Sequence, residues 1–199
     1  MKKIIIAIDS FKGCLTSAEA GKAAEKGIKS INPFCHTSVI PIADGGEGLL
    51  DVLITATKGK YITLSAHGPL MKMAKTHYGL SGNGRTAIIE MAAISGLPLV
   101  PIEQRNPMLT TTFGTGELIK DALNKGCRNF IIGIGGSATN DAGLGMLQAL
   151  GFRFLDKSGH TLGTGGQIME AVANIDTSGI HPALRETHFM VACDVANPF

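Results

Sequence analysis

Tryptophan is absent from this 199-residue chain, and only two tyrosines and eight phenylalanines supply aromatic rings. So few rings weigh against a surface on which nucleic-acid bases stack. An excess of one charge is also missing. Eighteen Lys and Arg stand against sixteen Asp and Glu, for a net charge of +2 with both signs scattered. No electrostatic footprint for nucleic acid or an anionic membrane follows from that balance. Long apolar runs are lacking as well. The opening Met1-Lys2-Lys3-Ile4-Ile5-Ile6 imitates a signal peptide, but Asp9 ends the run far too early for an h-region. No other stretch approaches the ~18 apolar residues of a membrane span. Cys14, Cys35, Cys127 and Cys193 are widely spaced with no C-x-x-C pair, the pattern of free thiols in a reducing cytosol. These absences together describe a soluble cytoplasmic protein.

What the chain has is glycine, 26 of 199 residues, roughly double the 7% typical of proteins. No low-complexity tract holds the excess; the glycines sit at element ends. Four times a short apolar run breaks into a turn carrying an acidic residue. Ile4–Ile8 leads into Asp9-Ser10-Phe11-Lys12-Gly13, and Val39–Ala43 into Asp44-Gly45-Gly46-Glu47-Gly48. Phe130–Ile134 leads into Gly135-Gly136-Ser137-Ala138-Thr139-Asn140-Asp141, and Phe189–Cys193 into Asp194-Val195-Ala196-Asn197-Pro198. In a parallel α/β sheet, ligands bind beyond the carboxyl ends of the strands. Four such turns on one edge would gather carboxylates, a lysine and many backbone N–H groups, as a site for a phosphorylated ligand and a divalent metal requires.

The remaining pattern is that of an α/β chain. Thr16-x-x-Glu19 has capping-box spacing and opens a helix through about Ile28, closed by Asn32-Pro33. Leu49–Ala56 is apolar and of helix length, stopped at Lys58-Gly59. Strands alternating with helices imply a parallel sheet. Between about residues 61 and 90 the texture changes to short strands at Tyr61–Ala66, Ala74–Gly79 and Thr86–Glu90. Asn83-Gly84 between the last two signals a type I′ hairpin turn. An antiparallel insertion or the start of a second domain is expected there. The βαβ rhythm resumes with a helix over Glu117–Asn124 and another near Asp141, ended by Gly151, before a strand at Phe152–Leu155. The chain stops directly after its last strand and turn, which suggests a fragment.

Each turn admits specific chemistry. Lys12 is a point charge for a phosphate or carboxylate, and Asp9 is a candidate general base or metal ligand. The same residues would also suit a strand end with a solvated lysine. The three glycines around Asp44 and Glu47 allow close backbone approach to a ligand, and two carboxylates there favour a metal or a donor hydroxyl over a bare phosphate. Gly135 to Asn140, with the Ser137 and Thr139 hydroxyls, forms a phosphate-cradle pattern. It is not a Walker P-loop, since no G-x-x-x-x-G-K-[ST] occurs. Gly133-x-Gly135-x-x-Ala138 nearly matches a dinucleotide fingerprint, with Asp156 at the expected downstream distance. That supports an alternative, an NAD-dependent oxidoreductase. Asp194 and Asn197 suit Mg²⁺ or a plain turn. The six histidines show no metal-ligand spacing.

Taken in order, the motifs resemble one family. Asp9 to Gly13, Ala43 to Gly48, Glu90-Met91-Ala92-Ala93, Gly114-Thr115-Gly116-Glu117-Leu118-Ile119, Gly133 to Asp141 and Asp194 to Pro198 look like the bacterial glycerate kinases of the first type. Leu49 and Ala142 depart from it, where threonine and a second glycine are common. The resemblance implies ATP-dependent phosphorylation of D-glycerate to 2-phosphoglycerate or 3-phosphoglycerate, with Mg²⁺, by a chain about twice this length. It implies a Rossmann- or flavodoxin-like two-domain kinase. The expected domains are residues 1–64, completed by a missing C-terminal segment, and 65–199. Asp44 or Asp194 would be the base, with Asp9 close by and Lys12 on the substrate carboxylate or a phosphate. Ser10, Gly45, Gly46, Glu47 and Asn197 would line the substrate. Gly135, Gly136, Ser137, Thr139 and Asn140 would take the nucleotide phosphates, while Asp141 and Asp194 would hold Mg²⁺. A homodimer is one assembly to expect.

Overall fold

The structure, a computed structural model, describes residues 3–11, 13–46 and 48–193. The chain opens with a parallel pair, β1 (Lys3–Ile8) and β2 (His36–Pro41), joined by α1 (Ser17–Ile31). The capping box forms as its spacing predicts. Thr16 Oγ1 accepts from Glu19 N at 3.2 Å, and Glu19 Oε2 accepts from Thr16 N at 2.9 Å. Buried Ser17 donates to Ile8 O at 2.6 Å and accepts from Ile42 N at 3.0 Å, which ties together the carboxyl ends of the two strands.

After α2 (Leu49–Thr57) comes a five-stranded mixed sheet. Its strands are β3 (Lys60–His67), β4 (Met73–Leu80), β5 (Thr86–Glu90), β6 (Asn129–Gly133) and, last in the chain, β9 (His188–Ala192), in that spatial order. β3, β4 and β5 pair antiparallel, whereas β5, β6 and β9 are parallel. Alternation along β5 shows how the sheet is covered, since successive side chains of a strand face opposite sides. Ile88 packs with Leu50 and Ile54 of α2, while Ala87 and Ile89 face the other way. On that second face they meet Ile94 of α3 (Ala92–Ser95) and Leu118, Ile119 and Ala122 of α4 (Phe113–Asn124). A sheet buried on both faces explains why its central strand reads as an unbroken apolar run. Beyond α5 (Leu144–Ala149), β7 (Arg153–Leu155) and β8 (Asn174–Asp176) form a separate antiparallel ribbon.

Several expectations need correction. The antiparallel segment is no insertion: β3 and β4 continue the same sheet as the parallel strands. Residues 64 and 65 are neighbours inside β3, and the passage from the first sheet to the second occurs earlier, between β2 and α2. The β4–β5 connection is a hairpin, but Asn83 does not have positive φ, so its turn is not type I′. Gly84 alone is left-handed, at φ +70°, and Asn83 Oδ1 accepts from Ser81 Oγ and Arg85 N. The helix expected at Glu117 begins a turn earlier, at Phe113.

Candidate functional site at the strand ends

Backbone contacts bring two of the four predicted turns, those after β2 and β6, together beside the end of β9. The register places Glu90, Gly133 and Ala192 side by side at the carboxyl ends of β5, β6 and β9. The turn after β2 lies against the ends of β6 and β9. A Cβ on Gly45, whose φ is +93°, would sit 2.8 Å from Ala192 O; one on Gly133 would sit 2.5 Å from Gly45 O; one on Gly135 would sit 2.8 Å from the Gly46 Cα. Those approaches exclude any side chain, so the glycines read as turn residues in the sequence are here packing residues.

The first turn meets the same edge across a cavity of about 450 Å³. Ser10, Phe11 and Thr16 line one side, with Asp51, His77 and Glu90 on the other. Asp9 is half-buried and accepts from Ser10 N at 2.6 Å. Glu90 reaches from the end of β5 into the first turn of α2, where its Oε1 accepts from Leu50 N at 2.7 Å. Burial pushes the Glu90 carboxyl up from its ordinary value, and the charge of Asp51 adds to the rise against the opposing pull of the α2 amides. Asp51 in turn accepts from Tyr61 Oη at 2.6 Å, which drives the Tyr61 hydroxyl to about 12. Asp44 is exposed, with Oδ1 accepting from Gly46 N at 2.9 Å.

The loop after β6 is held from behind. Ala138 N donates to Ser95 O at 2.9 Å, Leu97 N to Gly136 O at 3.0 Å, and Thr110 Oγ1 to Ala138 O at 2.7 Å. The Ser137 and Thr139 hydroxyls lie 2.9 Å apart, and Asn140 is exposed. Gly136 and Ser137 leave their N–H groups without a partner among the described residues.

Asp141 does not fit the role of metal ligand. It is 1% exposed, and its oxygens accept from the Thr111 and Thr112 hydroxyls and from the N–H groups of Thr112, Gly143 and Gly145, at 2.8 to 3.1 Å. A carboxylate so surrounded by donors fastens the start of α5 to the approach of α4 and has no face left for a cation. Among the described residues, no group of three His, Cys, Asp or Glu side chains could hold a metal ion. The dinucleotide alternative also fails on geometry. That fold needs the acidic residue on the parallel strand beside the glycine loop. Here β6 is flanked by β5 and β9, and Asp156 follows β7 in the separate ribbon, where it accepts from Ser158 N and His160 N.

Asp9, Ser10, Asp44, Gly45, Gly46, Gly135, Gly136, Ser137, Thr139 and Asn140 thus belong to turns at strand carboxyl ends. Lys12, Glu47, Asp194 and Asn197 lie outside the described residues. Two residues of the site were not singled out for it from the sequence. Glu90 ends the apolar run of β5 with an acid, the same signal as the other turns. Arg105 lies in an irregular stretch with no periodic cue, and lines a cavity of about 270 Å³ with Ser137 and Thr139. Among the described residues, no helix is long and apolar enough to cross a membrane.

Parallel strands that end in glycine-rich, hydroxyl-bearing and acidic turns around a cavity define an α/β protein with a small-ligand site at the strand ends. A profile of the glycerate kinase family matches residues 4–199. Glycerate kinase of Bacillus subtilis is 54% identical over 98% of this chain and 51% of its own length. Glycerate 2-kinase of Escherichia coli is 50% identical over 98% of this chain and 51% of its own length. A crystal structure from Salmonella typhimurium LT2, designated glycerate kinase 2, superposes with a TM-score of 0.89 at 49% identity, covering 99% of this chain and 53% of that one. The chain therefore belongs to the glycerate kinase family. It spans about half the length of the curated relatives it matches.

Proposed function

We propose that, at full family length, this protein transfers the γ-phosphoryl group of ATP to D-glycerate in the cytosol, giving 2-phosphoglycerate and ADP. The observation that carries the reading is the backbone contact of the turns after β2 and β6, Gly45 on Gly133 and Gly46 on Gly135, beside an acidic cavity. Phosphoryl transfer needs its two substrates held in line and their charge offset, with little covalent work by the protein. The amides and hydroxyls of Gly136, Ser137 and Thr139 suit the nucleotide phosphates. Asp44 suits the removal of the glycerate hydroxyl proton, since Oδ1 is engaged by Gly46 N and the side chain is exposed in the turn after β2. Asp194 is the alternative base, and Lys12 and Asn197 complete the substrate side.

Mg²⁺ takes one or two carboxylates and keeps several waters. Asp9, half-buried at the end of β1, is such a donor, and Asp194 joins it in this reading. When bound, the ion offsets phosphate charge. The C2 hydroxyl is preferred as acceptor because the Escherichia coli relative is named a glycerate 2-kinase. Two domains closing around the cleft, and a homodimer, complete the proposal.

The test is ADP formation by protein of full family length, with ³¹P NMR to identify the product. Glycerate-dependent ADP with 2-phosphoglycerate is expected. A 3-phosphoglycerate product would move the acceptor to C3. No glycerate-dependent ADP from folded protein with Mg·ATP would overturn the reading.

A further inference from the structure

We propose that Arg105 supplies the cationic half of a polyphosphate subsite whose other half is the loop after β6. The inference rests on the kinase reading and names the group that would meet the charge of the transferred end of the nucleotide. Arg105 lines the 270 Å³ cavity together with Ser137, Ala138 and Thr139, and no carboxylate lines it. Arg105 makes no ion pair among the described residues. Its Nε donates to Val100 O at 3.3 Å and its N to Ile102 O at 3.3 Å, so the stem is tethered while the two terminal nitrogens stay available.

The opposing wall carries what an anion needs from the other side. The Ser137 and Thr139 hydroxyls lie side by side, and the Ser137 N–H has no partner among the described residues; nor has the N–H of Gly136, the loop residue before it, which does not line the cavity. The bonds from Leu97 N to Gly136 O and from Ala138 N to Ser95 O strap the Arg105 segment and this loop into one frame. Thr110, 1% exposed, adds a third strap through Ala138 O. A fork of guanidinium donors facing hydroxyls and amides matches the shape and charge of linked phosphates. The carboxylates of Asp9 and Asp44 belong to other turns and do not line this cavity.

The experiment titrates tripolyphosphate into ¹⁵N-labelled chain and follows backbone amides and Arg105 Nε–H. Shifts are expected at Gly136, Ser137, Thr139 and Arg105. Arg105→Gln should raise the apparent Kd about tenfold or more, and Arg105→Lys should recover part of the loss, because a point charge lacks the planar fork. Preserved spectral dispersion would show that the variants fold. Shifts confined to another turn, no binding at millimolar tripolyphosphate, or equal binding by Arg105→Gln would overturn the subsite. Turnover at full family length separates it from the kinase reading. Glycerate-dependent ADP formation with an unchanged KM for ATP in Arg105→Gln would overturn the subsite alone. Tripolyphosphate binding at Arg105 without any glycerate-dependent ADP would support the subsite and overturn the kinase reading.

Discussion

Glu90, the last residue of β5, accepts a 2.7 Å hydrogen bond from the backbone N–H of Leu50 in the first turn of α2. The N-cap of that helix is Gly48, which has no side chain to cap with, so a strand 40 residues away in sequence provides the acceptor instead. One bond thereby sets where α2 starts and, with it, where the turn carrying Asp44 lies over the sheet. It acts together with the close packing of Gly45 on Gly133 and of Gly46 on Gly135.

Because burial raises the Glu90 pKa, its titration favours the folded chain at acid pH. That contribution is complete below the ordinary value near 4.5 and is lost as pH rises through the raised one. In Glu90→Gln the amide oxygen still accepts from Leu50 N, but the titration is gone. Thermal melts from pH 4 to 8 should show the wild type losing stability against Glu90→Gln as pH rises; parallel curves would refute the assignment. Glu90→Ala leaves the buried amide unpaired and should cost about 1–3 kcal/mol at every pH.

Asp141 separates a structural role from a metal-binding one. Replacement by Ala strands the Thr112, Gly143 and Gly145 amides and two threonine hydroxyls inside the protein. Each buried donor left unpaired costs roughly 1–3 kcal/mol, so Asp141→Ala should lose 3 kcal/mol or more, or fail to fold. Asp141→Asn points an amide donor at other donors and should lose about 2 kcal/mol. Urea midpoints give these losses, which should be equal in EDTA and in Mg²⁺. A loss that appears only with Mg²⁺ would restore Asp141 as a ligand.

Two glycines should respond in opposite ways. A Cβ on Gly133 would strike Gly45 O at 2.5 Å and Leu49 Cδ2 at 2.8 Å. Gly133→Ala should therefore push the Asp44 turn off the sheet and cut turnover at full family length more than tenfold, with destabilisation of about 1–3 kcal/mol from overpacking. Gly27 lies inside α1 with nothing within 4 Å of an added Cβ. Gly27→Ala should stabilise the chain by about 0.5–1 kcal/mol through helix propensity and lost freedom of the unfolded chain. Melting curves of the two variants decide both expectations.

Local signals were read correctly where local chemistry decides. The Thr16 capping box, the helix stop at Lys58-Gly59 and the strand at Thr86–Glu90 each depend on a few adjacent residues. Misreadings arose where a distant partner decides. Gly114 and Gly116 argue against helix by propensity, yet they lie in α4 because a Cβ on either would strike His67 O or Met146 O. Asp141, placed after a glycine-rich loop, has the local look of a ligand. Its burial comes from Thr111 and Thr112, some 30 residues earlier, which no window around it contains. Arg105 is legible only once the fold lays its segment against the loop after β6.

Asp44 gives the sharpest test of the chemistry. Its one hydrogen bond among the described residues is to Gly46 N, 2.9 Å from Oδ1, an Asx turn that asparagine forms equally well. Asp44→Asn should therefore keep the turn, the fold and the melting temperature, because the residue is exposed and loses no buried partner. What it removes is a proton acceptor, and general base catalysis is worth about 10²–10⁴ in rate. At full family length kcat should fall by that factor while the KM for ATP barely moves. Stopped activity with an unchanged melt would place the base at Asp44. Near-normal kcat would eliminate it and leave Asp194, two residues beyond β9 in the sequence, as the carboxylate that takes the proton.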